Sequence, residues 1–153
     1  MIEIVDSQER LEHRINNGIL LRRERSGELN RLIGIEFVSC NYESLELVLK
    51  HTVKASELNP IKTMHGGFIC WLLDGSCGIL ANAYTGAGNP TTDMNVHFIR
   101  AAKEGDELII KARILKPGRT LITCRSEIYC KDQLCATGDM TFYVLPNAVV
   151  NVD

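Results

Sequence analysis

The run from Phe68 to Tyr84, FICWLLDGSCGILANAY, constrains this chain more than any other stretch. It is far longer than a typical buried strand, and its leucines and alanines favour a helix. Its apolar residues lie nearly all round the helix axis, so it must be covered on more than one side. A sheet wrapped around it would supply that cover. The 153 residues leave room for one domain with a real core and none for two full catalytic domains.

Strand patterns flank this helix. Before it, alternation predicts strands over about 34–41 and 44–53, with a turn at Tyr42-Glu43, and Asn59-Pro60 marks a loop that leads to His65-Gly66-Gly67. After the Gly86–Pro90 break come strand patterns at about 91–99, 107–115, 120–130 and 133–145. Lys103–Asp106, Lys116–Arg119 and Lys131-Asp132 supply the turns. The expected class is α+β, a long central helix against an antiparallel sheet of about six strands, the last four joined as a meander. Neither a doubly wound alternation nor a Gly-rich phosphate fingerprint is present.

Residues 1–31 read as a helical arm, 32–145 as the main domain and 146–153 as a short, loosely attached tail. In the arm, Leu11, Ile15 and Ile19 form an apolar stripe from about Ser7 to Arg25, with Ser7 a possible cap. This helix either folds back on the domain or packs on a partner subunit. Apolar residues make up 45% and charged residues 24%, an ordinary globular balance rather than that of a disordered chain. The formal charge of -2 gives no basic field for nucleic acid. The N-terminus lacks the pattern of a signal peptide, and polar residues interrupt every apolar run below membrane-spanning length. A soluble cytoplasmic protein, with no membrane partner, is the expectation. The six cysteines form no Cys-x-x-Cys pair and read as reduced, buried small hydrophobes, a zinc site or disulfide being the alternative.

Chemistry concentrates at two places. His65-Gly66-Gly67 opens the apolar helix, whose first N–H groups have no intrahelical acceptor and can face a carbonyl oxygen that becomes negative; a tight turn without a ligand is the structural alternative. Asp74 lies in the middle of the most apolar segment, where a carboxylate needs hydrogen bonds, a wet cleft or a raised pKa. It is either ligand-facing or a structural acceptor at a helix contact. Gly75 and Gly78 leave space beside it. Gly66 and Asp74 are eight residues apart, about 12 Å of helix rise, so one carbonyl cannot touch both. If both serve one site, one of them comes from a second copy, with two helices crossing antiparallel.

Asn59-Pro60, His65-Gly66-Gly67, Asp74 nine residues after the histidine, and Thr91-Thr92-Asp93-Met94-Asn95 at the start of the next strand resemble the hotdog-fold acyl-CoA thioesterases. The nearest branch is the phenylacetate-degradation (PaaI-like) type of the 4-hydroxybenzoyl-CoA thioesterase superfamily. The resemblance spans about residues 32–145. It implies a helix wrapped by a curved antiparallel sheet, an obligate homodimer or dimer of dimers with sites at the interface, no cofactor or metal, and hydrolysis of acyl-CoA to a carboxylic acid and CoA.

Carried onto these residues, the resemblance makes Asp74 the general base for water, or the nucleophile. Gly66 N–H polarises the carbonyl, and Gly67 permits the close approach. His65 orients the thioester or the loop, Asn59 holds the loop or positions water, and Thr91 hydrogen-bonds the attacking water. Lys62 departs from the pattern, which commonly has glycine three residues before the histidine. Lys62 either approaches a CoA phosphate or is a solvated loop residue; Arg119 has the better position for that phosphate, and Lys116 a weaker one. Phe68 and Trp71 read as core or interface, with acyl-pocket lining as the alternative, and Tyr84 as closing the far end. A non-catalytic acyl-CoA-binding hotdog protein is the competing function, and a hotdog hydratase or dehydratase a more distant one.

Overall fold

The computed structural model describes residues 2–25, 27–32 and 34–149. The apolar run forms helix α3, Gly66–Thr85, in which Ile69, Leu72, Leu73, Ile79 and Leu80 are buried. Each such side chain contributes about 2 kcal/mol by leaving water. The helix stops at Gly86, which takes the left-handed conformation at φ 65° that glycine adopts without steric penalty.

The covering layer is a six-stranded antiparallel sheet. Its strands are β1 (Glu36–Asn41), β2 (Glu46–Thr52), β4 (Thr91–Phe98), β5 (Glu107–Lys116), β6 (Leu121–Cys130) and β7 (Gln133–Tyr143), in the order β1-β2-β5-β6-β7-β4. Alternation sets the faces: Leu108, Ile110, Ala112 and Ile114 on β5, and Ile122, Cys124, Ser126 and Ile128 on β6, are buried, while Lys111, Arg113 and Arg125 are exposed. The buried hydroxyls of Ser76 on α3 and Ser126 on β6 lie 2.9 Å apart and satisfy each other.

Two expectations change. The last four strands are not one continuous meander, because β4 pairs with β7 at the sheet edge. Residues 99–106 instead cross past the N-terminal end of α3, where Met64 N–H donates to Ala102 O and Val53 N–H to Asp106 O. Turn residues at 103–106 mark a reversal of direction but do not specify which strand will be the neighbour. The tail also carries structure: β8, Leu145–Val149, pairs with the two-residue β3, Ala87–Gly88. Gly88 lets the strands approach, since a Cβ there would stand 3.1 Å from that of Ala148. Positions 150–153 of the expected tail lie outside the described residues.

The arm forms α1, Gln8–Arg25, followed by a short α2, Glu28–Leu32, that the sequence pattern does not anticipate. Of the two arrangements open to the arm, the chain adopts the first: α1 lies on α3. Leu11, Ile15 and Ile19 are buried, and fully buried Arg14 donates to Glu3 O at 2.8 Å and to Ala83 O at 3.2 Å. A guanidinium thus meets the C-terminal carbonyls of α3, where the helix dipole favours a cation.

Candidate active site

The entrance of α3 is built by the segment 54–65. Asn59 organises its loop: the side-chain amide donates to Thr63 Oγ1 at 2.8 Å, and Oδ1 accepts from Ile61 N–H and Thr63 N–H, both at 3.1 Å. Both ends of the side chain are therefore engaged in the loop. Lys62 has φ 62°, in the left-handed region, so the lysine holds the backbone that glycine would adopt without strain. Its side chain is exposed.

His65 caps α3. Its Nδ1 accepts from Gly67 N–H at 2.9 Å, so the ring proton resides on Nε2. Its own N–H donates to Glu57 O at 2.8 Å. Glu57 is in turn anchored by a buried pair: His51 Nε2 lies 2.8 Å from Glu57 Oε2, and His51 Nδ1 lies 2.7 Å from Gly34 O. Strand β2 therefore holds the helix entrance through His51 and Glu57, two residues the sequence reading does not select. Their type gives no signal, because an exposed histidine-glutamate spacing looks the same.

With Gly67 N–H occupied by His65, the Gly66 N–H is left without an acceptor among the described residues. Gly66 lines an open groove of about 300 Å³ with Asn59, Ile69, Phe98, Ile99 and Arg100. A Cβ at Gly66 would stand 3.3 Å from the Phe98 ring, so the missing side chain lets that ring pack closely on the helix entrance. On the neighbouring surface Leu29, His65, Gly67, Phe68 and Trp71 frame a second hollow of about 250 Å³.

Asp74 lies two turns further along α3 and is half-buried. Thr91, at the start of β4, donates its hydroxyl to Asp74 Oδ1 at 2.6 Å, the short distance of a charge-assisted bond. A bulge between Thr91 and Asp93 turns the strand so that Thr91 faces the helix. Burial chiefly, and the Asp74 charge as well, push the Cys70 thiol above its ordinary value. All six cysteines are free thiols.

Within one chain, then, Asn59, His65, Gly66 and Gly67 form one group and Asp74 with Thr91 another, eight helical residues away. Arg119 and Lys116 are exposed at the β5–β6 reversal. Arg119 lies near Tyr84, whose hydroxyl feels its charge, at the opposite end of α3 from Gly66. Eighteen residues, about 27 Å of helix, separate Tyr84 from Gly66. A further charged side chain enters beside Asp74: Arg22 of α1, half-buried against Gly75 and Gly78. The stripe Leu11, Ile15, Ile19 continues onto Arg22 at helical spacing, and that is the signal that marks it as inward-facing.

Residues 61–137 match the family described as the thioesterase superfamily. Over 78 residues the chain is 37% identical to acyl-coenzyme A thioesterase 13 of Mus musculus, covering 50% of this chain and 55% of that protein. The chain thus spans about half the length of the curated relatives it matches. Among solved structures it is similar to zebra fish thioesterase superfamily member 2, with TM-score 0.75 and 28% identity over 86% of this chain and 98% of the other. It is also similar in fold to the E. coli PaaI protein from the phenylacetic acid degradation operon, with TM-score 0.79 and 20% identity over 92% and 99%. The long helix and its six-stranded antiparallel cover are the hotdog fold. No helix among the described residues is long and apolar enough to cross a membrane.

Proposed function

The chain belongs to the thioesterase superfamily, and from that premise we propose that it hydrolyses an acyl-CoA thioester to a carboxylic acid and free CoA. The observation that carries the reading is the pair of complementary groups on α3: an N–H without an acceptor at Gly66, and an accessible carboxylate at Asp74 held by Thr91. Asp74 takes a proton from water as that water attacks the thioester carbonyl. The carbonyl oxygen gains negative charge and is stabilised by Gly66 N–H at the positive end of the helix. Collapse of the tetrahedral intermediate expels the CoA thiolate.

The site is completed by a second copy of the chain, with Gly66 of one subunit and Asp74 of the other meeting at one carbonyl, because about 12 Å of helix separates them within one chain. The working assembly is a homodimer or a dimer of dimers. His65 and Asn59 shape the entrance, and Arg119, with Lys116 and Lys62 in lesser parts, meets the CoA phosphates. In this reading Thr91 acts by fixing one oxygen of Asp74, leaving the other for water.

The test is thiol release from hexanoyl-, benzoyl- and phenylacetyl-CoA by wild type and Asp74→Asn. The amide retains size but cannot accept the proton, so turnover falls roughly 100-fold or more while CoA affinity, fold and assembly mass are kept. Near-wild-type turnover by the variant on all three substrates refutes the base assignment.

A further inference from the structure

His51 of β2 and Glu57 of the segment before α3 are buried against each other, 0% and 2% exposed. Gly34 O, 2.7 Å from His51 Nδ1, can only accept, so Nδ1 donates to it, and Nε2 is hydrogen-bonded to Glu57 Oε2 at 2.8 Å. Oε2 also accepts from Lys54 N–H at 3.1 Å. Glu57 Oε1 is buried without a hydrogen-bond partner among the described residues. An unsatisfied buried oxygen is destabilising, and two apolar side chains would fill the same space without it. Stability alone therefore gives little reason for a polar pair here. What the pair fixes is the backbone of Glu57.

That backbone leads directly to the helix entrance. Glu57 O accepts from His65 N–H at 2.8 Å, and His65 O accepts from Phe68 N–H at 2.9 Å and from Ile69 N–H at 3.3 Å. The peptide unit between His65 and Gly66 is thus held from both sides. It is trans, so its N–H points opposite to its C=O. With His65 O turned into the first turn of α3, Gly66 N–H is aimed out of the helix end. The anchor at Glu57 O holds His65 at its φ of -64° and with it the direction of that N–H. The Glu57 side chain ties this anchor to β2, an interior strand in which His51 pairs with Leu108 of β5. Asn59, by contrast, bonds only to Ile61 and Thr63 of its own loop.

We propose that His51 and Glu57 are positioning residues for the carbonyl-polarising N–H: they carry the fixed place of β2 through Glu57 O to His65, and so set where Gly66 N–H points. The inference rests on the role proposed for Gly66. Both side chains are closed off from solvent, so they act through His65 rather than on the substrate. Both also lie outside the matched residues 61–137.

The decisive variant combines His51→Leu with Glu57→Leu, which replaces the buried pair by apolar side chains and keeps the carbonyl at position 57. Such a replacement commonly leaves a fold as stable or more so, and the melting temperature should not fall. Without the tie, kcat for hexanoyl-CoA falls roughly tenfold while KM and CoA affinity stay within about threefold. Glu57→Ala falls equally and serves if the double variant does not fold. Glu57→Gln, whose amide keeps a link to His51, stays within about threefold of wild type. Polarisation is read separately from the infrared carbonyl band of a bound dethia analogue of hexanoyl-CoA, a ketone with CH2 in place of the sulfur. The band moves to lower frequency on binding to wild type, and the double variant returns it toward its free position. A folded double variant or Glu57→Ala that turns over within twofold of wild type overturns the proposal, as does Glu57→Gln impaired as deeply as Glu57→Ala. A band that does not move in wild type removes the Gly66 role and the proposal with it. A band that moves in wild type and equally in the double variant removes only the pair.

Discussion

Replacing Thr91 by valine isolates the contact that holds Asp74. Valine keeps the branched shape and deletes only the hydroxyl whose 2.6 Å bond reaches Asp74 Oδ1. A buried bond to a charged group is worth about 1.5–3 kcal/mol. Thr91 is exposed and Asp74 half-buried, so water replaces much of what is lost and the stability change should stay below about 1 kcal/mol. In the proposed mechanism catalysis is less forgiving, because there the hydroxyl sets the rotamer of the carboxylate and the oxygen offered to water. Loss of that orientation is expected to lower kcat roughly tenfold, about 1.4 kcal/mol of barrier, with KM little changed. The assay is steady-state thiol release from hexanoyl-CoA beside a thermal melt of the same preparation, with Thr91→Ser as the control that retains the donor. A Thr91→Val enzyme within twofold of wild type, or a Thr91→Ser enzyme as impaired as the valine variant, would refute the idea that this bond orients the base.

Three further outcomes follow from the geometry. Lys62→Gly removes a left-handed strain of about 1–2 kcal/mol against a glycine entropy cost of about 0.5–1 kcal/mol, so the melting temperature should rise by roughly 2 °C; a fall would mean that the lysine side chain contributes more than its backbone costs. Arg119→Ala should raise KM for a CoA thioester more than for a pantetheine thioester lacking the nucleotide, and equal effects would remove Arg119 from phosphate binding. Light scattering over a concentration series should find a dimer or tetramer wherever the protein is active, and a fully active monomer would end the cross-subunit reading.

What could be read from the sequence depended on conflict between residue type and surroundings. A carboxylate in the middle of FICWLLDGSCGIL is such a conflict, and Asp74 is half-buried and held by Thr91. Two glycines at a helix entrance are another, and the division of labour that the structure adds is that His65 engages Gly67 N–H and leaves that of Gly66. Lys62 was visible as a departure from glycine, but only backbone geometry reveals that the loop kept the glycine conformation and imposed it on lysine. The position of β4 beside β7 was not legible, because period-two alternation fixes which face is buried and says nothing about which strand is the neighbour.

Arg22 marks the other limit, since the default for a helix arginine is a solvated face and sequence offers no reason to overrule it one residue at a time. Only the combination carries information: the stripe Leu11, Ile15, Ile19 runs on into Arg22, and the helix it packs against has glycines where bulk is otherwise expected. Read separately, Gly75 and Gly78 look like space left for a substrate, and Arg22 looks like surface. The structure puts the cation into that space, so part of the room beside Gly78 is taken up by charge from the same chain. Of the two glycines only Gly78 is bound by this packing: a Cβ there would stand 3.0 Å from Arg22 Nη2, whereas one at Gly75 would make an ordinary contact at 3.8 Å.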